Sequence, residues 1–532
     1  MPHLLRPLLS LGILAAATST LPGQARPSRP SGPPTPAAVR RAAESIDSAT
    51  YRARAAVIAD DSMRGRDNPS PGLELTAAWV ASEFRRLGLR PAGDGGTFIQ
   101  RYRARRSRID SSSTVTATAR GYATTWRLAR DVAFLGGRPS TAAAPLPVVL
   151  LSGLPADPTR PFGDVAVRGA AVLNVLTREQ FEGPAINPLI VQGLAAGVGT
   201  WIAVVEPPAP RWAAWLRRGL LVEQWDLIGA RSAFDVGAAP VLAVRDSAAA
   251  ALLAAAGTDL ATLRAPAGQG IRVLDGVQLA LDLRQVVVDE PSLPNVVGVL
   301  EGSDPRLREE AVAFVAHMDH VGVTATGRCA ARGADSVCNG ANDDASGTVG
   351  VVELAEAYAS LRPRPARSLV FLVVSGEERG LFGSSYYTGH PAIPLERTVA
   401  AVAMDEIARN TPDTMIVIGK GFSSLGEVVD RVVGANPELG LLALDDLWPG
   451  QNYFTRSDHY AFARRGVPAF VLYGGTSAQT HRPDDSVDSA DWGKAARIAR
   501  VAFYVGLDVA NAPAHPEWDP AARSRIVDGA RP

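Results

Sequence analysis

Four short apolar runs, each stopping on a histidine or a carboxylate, set the pattern of this chain. Residues 311 to 316 (AVAFVA) are apolar without interruption and end at His317, Asp319 and His320. A run this short and this apolar predicts a central strand buried on both faces. SLVFLVVS at 368 to 375 leads into Gly376, Glu377 and Glu378, and VAAVAM at 399 to 404 leads into Asp405 and Glu406. VPAFVLY at 467 to 473 reaches Thr480 and His481 through a Gly-Gly loop. Ligands in open α/β sheets lie beyond the carboxyl ends of the strands, so the pattern gathers these polar side chains at one edge. Packing alone gives no reason for such an ending to recur in every run.

The remaining pattern assigns the rest of the chain. Apolar positions Val39, Ala43, Ile46, Ala49, Ala53 and Ala56 predict a helix over 38 to 59. Pro71 to Gly88 reads as an amphipathic helix stopped by its glycine, and Ala345 to Leu361 as a helix following the paired aspartates Asp343 and Asp344. Residues 111 to 290 read differently. Short β-like runs (PVVLL, AAVLNVL, TWIAVVE, APVLAV, VQLALDL) alternate with turns and Ala-rich helical pieces, and no histidine occurs between His3 and His317. This is an inserted, β-rich accessory domain, dividing a first part at 38–110 from a second at 291–510. Residues 511–532, Pro-rich and polar, read as a tail. The predicted fold is α/β, a mixed and mainly parallel sheet between helices.

Length and charge narrow the function. A chain of 532 residues is too long for one ordinary domain. Its 54 basic and 54 acidic residues cancel, which argues against nucleic acid or an acidic membrane surface as partner. His3 and Arg6 precede an apolar segment from Leu8 to Leu21, and Gly23 and Ala25 suit a signal-peptidase site. That segment is shorter than the ~20 residues a spanning helix needs. Residues 1–25 are therefore read as a signal peptide and 26–37 as a Pro-rich linker, with an uncleaved anchor as the rival. Export to a periplasm or the medium follows, without stable membrane insertion after cleavage. In an oxidising compartment Cys329 and Cys338, the only cysteines, favour a disulfide. The rival is a thiolate metal site, which lacks a second cysteine pair or an adjacent histidine.

Hydrolysis of an unactivated amide needs a water nucleophile at neutral pH and stabilisation of the oxyanion. Two metal ions meet both needs if one carboxylate bridges them, a histidine and a carboxylate flank each side, and a further carboxylate acts as base. His317, Asp343, Glu377, Glu378, Asp405 and His481 supply that set. Nitrogen and oxygen donors suit zinc, with cobalt or manganese as substitutes. Neither G-x-S-x-G nor H-E-x-x-H is present, which sets aside the serine-hydrolase elbow and the zincin helix.

At these residues the chain resembles the co-catalytic zinc aminopeptidases of peptidase family 28, the group containing aminopeptidase Y and the bacterial leucyl aminopeptidases. The matching segments are GRDNPSPG, LPNVVGVLEGSDP, AHMDHVG, NGANDDASG, SGEERGLFGSSYY, MDEIAR, RSDHYAF and THRPDDSVD, in order along the chain. The resemblance implies a three-layer α/β/α zinc-exopeptidase fold with an inserted protease-associated domain, and peptide substrates. It implies two zinc ions per chain, bridged by Asp343, with His317 and Asp405 completing one and Glu378 and His481 the other. Glu377 would take the proton from the bridging water, Asp319 would accept a hydrogen bond from His317, and the Asp343–Asp344 bond would be cis. Tyr453 becomes a candidate oxyanion or substrate contact, and His459 either lines the pocket or supports the site. Asp344 reads as a charge at a helix N-terminus, and His320 has the weaker case for a role in the site. The fourth motif departs from the family pattern, with Ala403 where an Asn is common and Glu406 in place of Met or Leu. Glu406 thus becomes a candidate substrate contact. The leading function is an exported dizinc aminopeptidase. Its alternatives are another exopeptidase (carboxypeptidase or dipeptidase), a glutaminyl cyclase, or a non-catalytic binding protein. Oligomeric state is left open.

Overall fold

The computed structural model describes residues 34–528, apart from 142–143, 207, 234–238 and 327. The expected signal peptide and most of the linker lie outside the described residues. The four apolar runs form strands Ala311–His317, Ser368–Val374, Thr398–Asp405 and Ala469–Tyr473, buried along nearly their whole length. The first pairs in parallel with the second and third, and the third with the fourth. Antiparallel strands flank this centre: Ser292–Leu300 beside Ser368–Val374, and Thr414–Ile418 beside Ala469–Tyr473. The sheet is therefore mixed with a parallel middle, as the strand pattern predicts.

Strand periodicity sorts the buried side chains onto two faces. Val312, Phe314 and Ala316 face a core shared with helices Ser346–Ser360 and Trp492–Asn511. Ala311, Ala313 and Val315 face the other way, into a core holding Tyr387 of helix Phe382–Gly389 and Phe462 of helix His459–Ala463. Helix Trp492–Asn511 reaches the sheet closely at Gly506, where a Cβ would stand 2.3 Å from Phe314. The three-layer α/β/α expectation holds.

Helix Pro71–Arg86 forms where its apolar spacing predicts it. The stretch 38 to 59 forms two helices rather than one, Pro36–Glu44 and Ser48–Ile58. The break is at Asp47, whose carboxylate accepts the amides of Ala49 and Thr50 and so starts a new helix.

A second sheet of eight strands is built from residues 114 to 282, with its own core around Trp126, Leu150, Leu173 and Ile202. One strand of this stretch behaves otherwise: Glu223–Leu227 pairs with Ile99–Ile109 in the first sheet. Beyond it, Ala233 N–H donates to Ser385 Oγ (2.8 Å) and Arg464 donates to the Ala233 carbonyl (2.7 Å). Residues 518–528, within the stretch read as a tail, are packed. Ala522, Ile526 and Val527 are buried against the first sheet's outer core, and Trp518 Nε1 donates to the Gly466 carbonyl (2.9 Å). Scattered single apolar residues such as these carry no periodicity to read beforehand. No helix among the described residues is long and apolar enough to cross a membrane.

Candidate metal centre

Each donor comes from the carboxyl end of a strand or the loop just after it. His317 ends Ala311–His317, Glu377 and Glu378 follow Ser368–Val374, Asp405 ends Thr398–Asp405, and His481 lies on the loop after Ala469–Tyr473. Asp343 precedes helix Ser346–Ser360, and its bond to Asp344 is cis. Gly376 turns the chain into the two glutamates with φ at 72°, and a Cβ there would stand 2.5 Å from the Tyr102 hydroxyl. His481 and Glu406 hold positive φ values, 62° and 49°, a conformation that costs non-glycine residues on the order of 1–3 kcal/mol.

The donors fall into two groups that share Asp343, and within each group the ligand atoms lie within 4.8 Å of one another. In the first, His317 Nε2 stands 3.4 Å from Asp343 Oδ1 and 3.6 Å from Asp405 Oδ1. In the second, His481 Nε2 stands 3.2 Å from Asp343 Oδ2 and 2.9 Å from Glu378 Oε1. His320, the weaker histidine on sequence grounds, joins this second group, with Nδ1 3.5 Å from Asp343 Oδ2 and 3.3 Å from Glu378 Oε1. Glu378 Oε1 and both ring nitrogens of His320 are buried and make no hydrogen bond. Buried imidazole and carboxylate atoms without hydrogen bonds, facing one another at these distances, fit a divalent cation of the zinc class. Cys329 and Cys338 are bonded to each other, which leaves neither thiolate for a metal.

Asp319 is placed differently from the expectation. Its carboxylate is 3.7 Å from His317 Nδ1, and the Asp319 backbone carbonyl, at 3.1 Å, is the partner of that nitrogen. The carboxylate instead accepts from Asn68 Nδ2 (2.5 Å) and from the amides of Glu377 and Glu378 (3.3 Å each). It thereby ties the His317 loop to the two glutamates. His459 does not line the pocket: it is fully buried, with its ring against Phe454. Asp344 caps the following helix through the Gly347 amide (2.7 Å), as its sequence context suggests.

Two supports escape sequence reading. Arg66 is fully buried and donates to the carbonyls of Met318 (2.8 Å), Ile58 (2.7 Å), Asn339 (2.6 Å) and Gly340 (2.8 Å), stitching the His317 and Asp343 loops together. Asp485 accepts the amides of Asn342 (2.9 Å) and Asp343 (3.0 Å) and pairs with Arg409 (2.8 Å). The only prior signal was charged residues inside the quoted segments GRDN and THRPDD.

The electrostatics follow from crowding carboxylates and imidazoles together. Burial raises the Glu377 carboxyl well above its usual range, with Asp405 and Glu378 adding to the effect against the pull of His317. Burial lowers the His481 imidazole, but the Asp343 and Glu378 carboxylates beside it outweigh that effect and bring it up to about 10. Burial raises Asp343, yet His320, His481 and His317 together draw it well below the usual carboxylate range. These residues floor a cavity of about 390 Å³ that Glu406, Ile418, Tyr453, Arg456 and Tyr473 also line. Glu406 accepts a hydrogen bond from Thr480 Oγ1 at its wall.

Comparison with known proteins shows what this stretch of the chain is similar to. Residues 295–506 match the model of peptidase family M28. A probable zinc metalloprotease of Pyricularia oryzae is 27% identical over 231 residues, covering 36% of this chain and 44% of that protein. A probable leucine aminopeptidase 2 of Aspergillus oryzae is 28% identical over 213 residues, covering 40% of this chain and 38% of that protein. The chain thus spans less than half the length of these curated relatives. Among solved structures, an aminopeptidase from Aneurinibacillus sp. strain AM-1 aligns over 91% of this chain and 98% of its own, with TM-score 0.50 and 17% identity, a likeness of fold. Residues 295–506, the stretch that matches peptidase family M28, hold all the donors of both groups.

Proposed function

We propose that this chain is an exported aminopeptidase that removes residues from the N-termini of peptides with two zinc ions. The observation that carries the reading is the pair of donor groups sharing Asp343 on the floor of a cavity that Glu377 also lines. In this reading His317, Asp343 and Asp405 would hold one ion, and Asp343, Glu378 and His481 the other. Bound there, zinc would supply a lowered pKa for water and Lewis acidity toward a carbonyl oxygen, which answers the two difficulties of amide hydrolysis.

The chain's own residues do the rest. Glu377 accepts the proton released as water oxygen attacks the scissile carbonyl carbon, then delivers it to the amine as the carbon–nitrogen bond breaks. Its raised proton affinity, from burial and neighbouring carboxylates, suits a group that must both take and return a proton. Asp319 keeps Glu377 in place through its amide. Tyr453, on the cavity wall, offers its hydroxyl to the developing oxyanion or the substrate backbone. Glu406, also on the wall, sets the charge of the subsite where the N-terminal residue lies. Residues 111–290 act as a protease-associated domain beside the cleft, and the leader at 1–25 directs export.

Hydrolysis of aminoacyl-nitroanilides tests this reading. Cleavage that requires a free α-amine, and that falls at least a hundredfold in Glu377→Gln, is expected. Equal cleavage of N-blocked substrates would remove the aminopeptidase assignment.

A further inference from the structure

Resting on the two-metal reading, we infer that His320 is a further metal ligand, so that the two ions are held unequally. The ion bound by His317, Asp343 and Asp405 has three protein donors, and the ion bound by His320, Asp343, Glu378 and His481 has four.

Several observations converge on His320. Its side chain is fully buried, and neither ring nitrogen has a hydrogen-bond partner. A structural histidine in such a place ordinarily uses at least one nitrogen for a hydrogen bond. Nδ1 points at the carboxylate oxygens that also face His481, 3.3 Å from Glu378 Oε1 and 3.5 Å from Asp343 Oδ2. A cation among these oxygens would satisfy Nδ1 and Glu378 Oε1 at once. The ring's seat is built into the backbone: Gly340 has φ of 58°, and a Cβ there would stand 2.6 Å from His320 Cγ. The His320 amide donates to the carbonyl of Arg66 (3.3 Å), the residue that joins the His317 and Asp343 loops.

The inequality has a chemical meaning. Four protein donors close a tetrahedral zinc site, whereas three leave a position for water or substrate. The His317 and Asp405 side therefore keeps the open position, and the His320 side anchors the pair. His481 is 45% exposed, and with His320 present the anchoring ion keeps three buried donors when His481 moves.

X-ray absorption on the wild-type protein loaded with one equivalent of zinc tests this without a variant. Two imidazoles per zinc are expected at one equivalent, and an average of 1.5 at two equivalents, as the arithmetic of three histidines over two ions requires. One imidazole per zinc at both loadings would overturn the role of His320 while leaving two bound metals intact. Failure to bind zinc at all would overturn the two-metal reading itself. In parallel, zinc retention against a graded chelator is measured for wild type, His320→Gln and His320→Ala, with each metal-free protein's melting curve as a folding control. Release in two steps is expected for wild type, with the tighter step weakened at least tenfold in the variants. Release midpoints unchanged in a folded variant would contradict the proposal.

Discussion

At the residue scale, Glu377 has the most specific assignment. It lines the cavity beside both donor groups, yet no ligand group contains it. Glu377→Gln is expected to lower kcat by about 10²–10⁴ with zinc content unchanged. A variant that loses zinc as well would make Glu377 a ligand instead. Arg66 has the opposite character: it belongs to neither donor group but binds the carbonyls on which two donor loops hang. Removing one partner of a buried hydrogen bond costs about 1–3 kcal/mol, and Arg66→Ala removes several. Denaturant unfolding of the metal-free protein is expected to show a loss of about 3 kcal/mol or more. A loss under about 1 kcal/mol would mean that the loops close without it. None of these contacts was legible beforehand, because Arg66 meets residues 252 to 274 positions away as well as nearby Ile58. Only the fold makes them neighbours.

At the scale of elements, the strands that carry the donors were legible because each is apolar from end to end and stops sharply. Strand Glu223–Leu227 (EQWDL) was not, since its mixed residues show neither alternation nor an apolar run. It pairs antiparallel with residues 104 to 108 of Ile99–Ile109, next to the stretch 99 to 103 that pairs with Ser292–Leu300. The loop between His317 and Asp343 depends on its disulfide. Cys329 and Cys338 are separated by 9 positions, and a cross-link closing so short a loop is worth about 2–3 kcal/mol in the chain-entropy account. The Cys329→Ser, Cys338→Ser double variant is expected to unfold with that loss of stability. Because Cys338 precedes the Asp343 segment, it should also release zinc faster under chelation. Unchanged unfolding and unchanged release would show that the loop is held by Arg66 and Asp485 alone.

At the scale of the whole molecule, burial couples stability to pH. His459 is fully buried with its ring against Phe454, and burial holds its imidazole down to about 3 against an ordinary 6.5. A depressed folded pKa contributes stability that is present above pH 6.5 and lost as pH falls toward 3. A tenfold difference in proton affinity between the folded and unfolded chain is worth about 1.4 kcal/mol, so wild type should lose several kcal/mol relative to His459→Gln across that window. Parallel pH profiles of the two proteins would contradict the placement of His459 as a buried neutral group. Its neighbours in the segment RSDH gave no sign of this, because Ser457 lines the cavity while His459, two positions on, turns into the core. The division of labour in the whole chain rests on one claim, that two metals and Glu377 together cut a peptide bond at a free N-terminus. The direct test is zinc content of the purified protein measured together with aminoacyl-nitroanilide hydrolysis, with and without a free amine, in wild type and Glu377→Ala. The account predicts about two zinc ions per chain in both proteins, cleavage only of free-amine substrates, and activity lost in the variant. A single zinc, or full activity in Glu377→Ala, would contradict it.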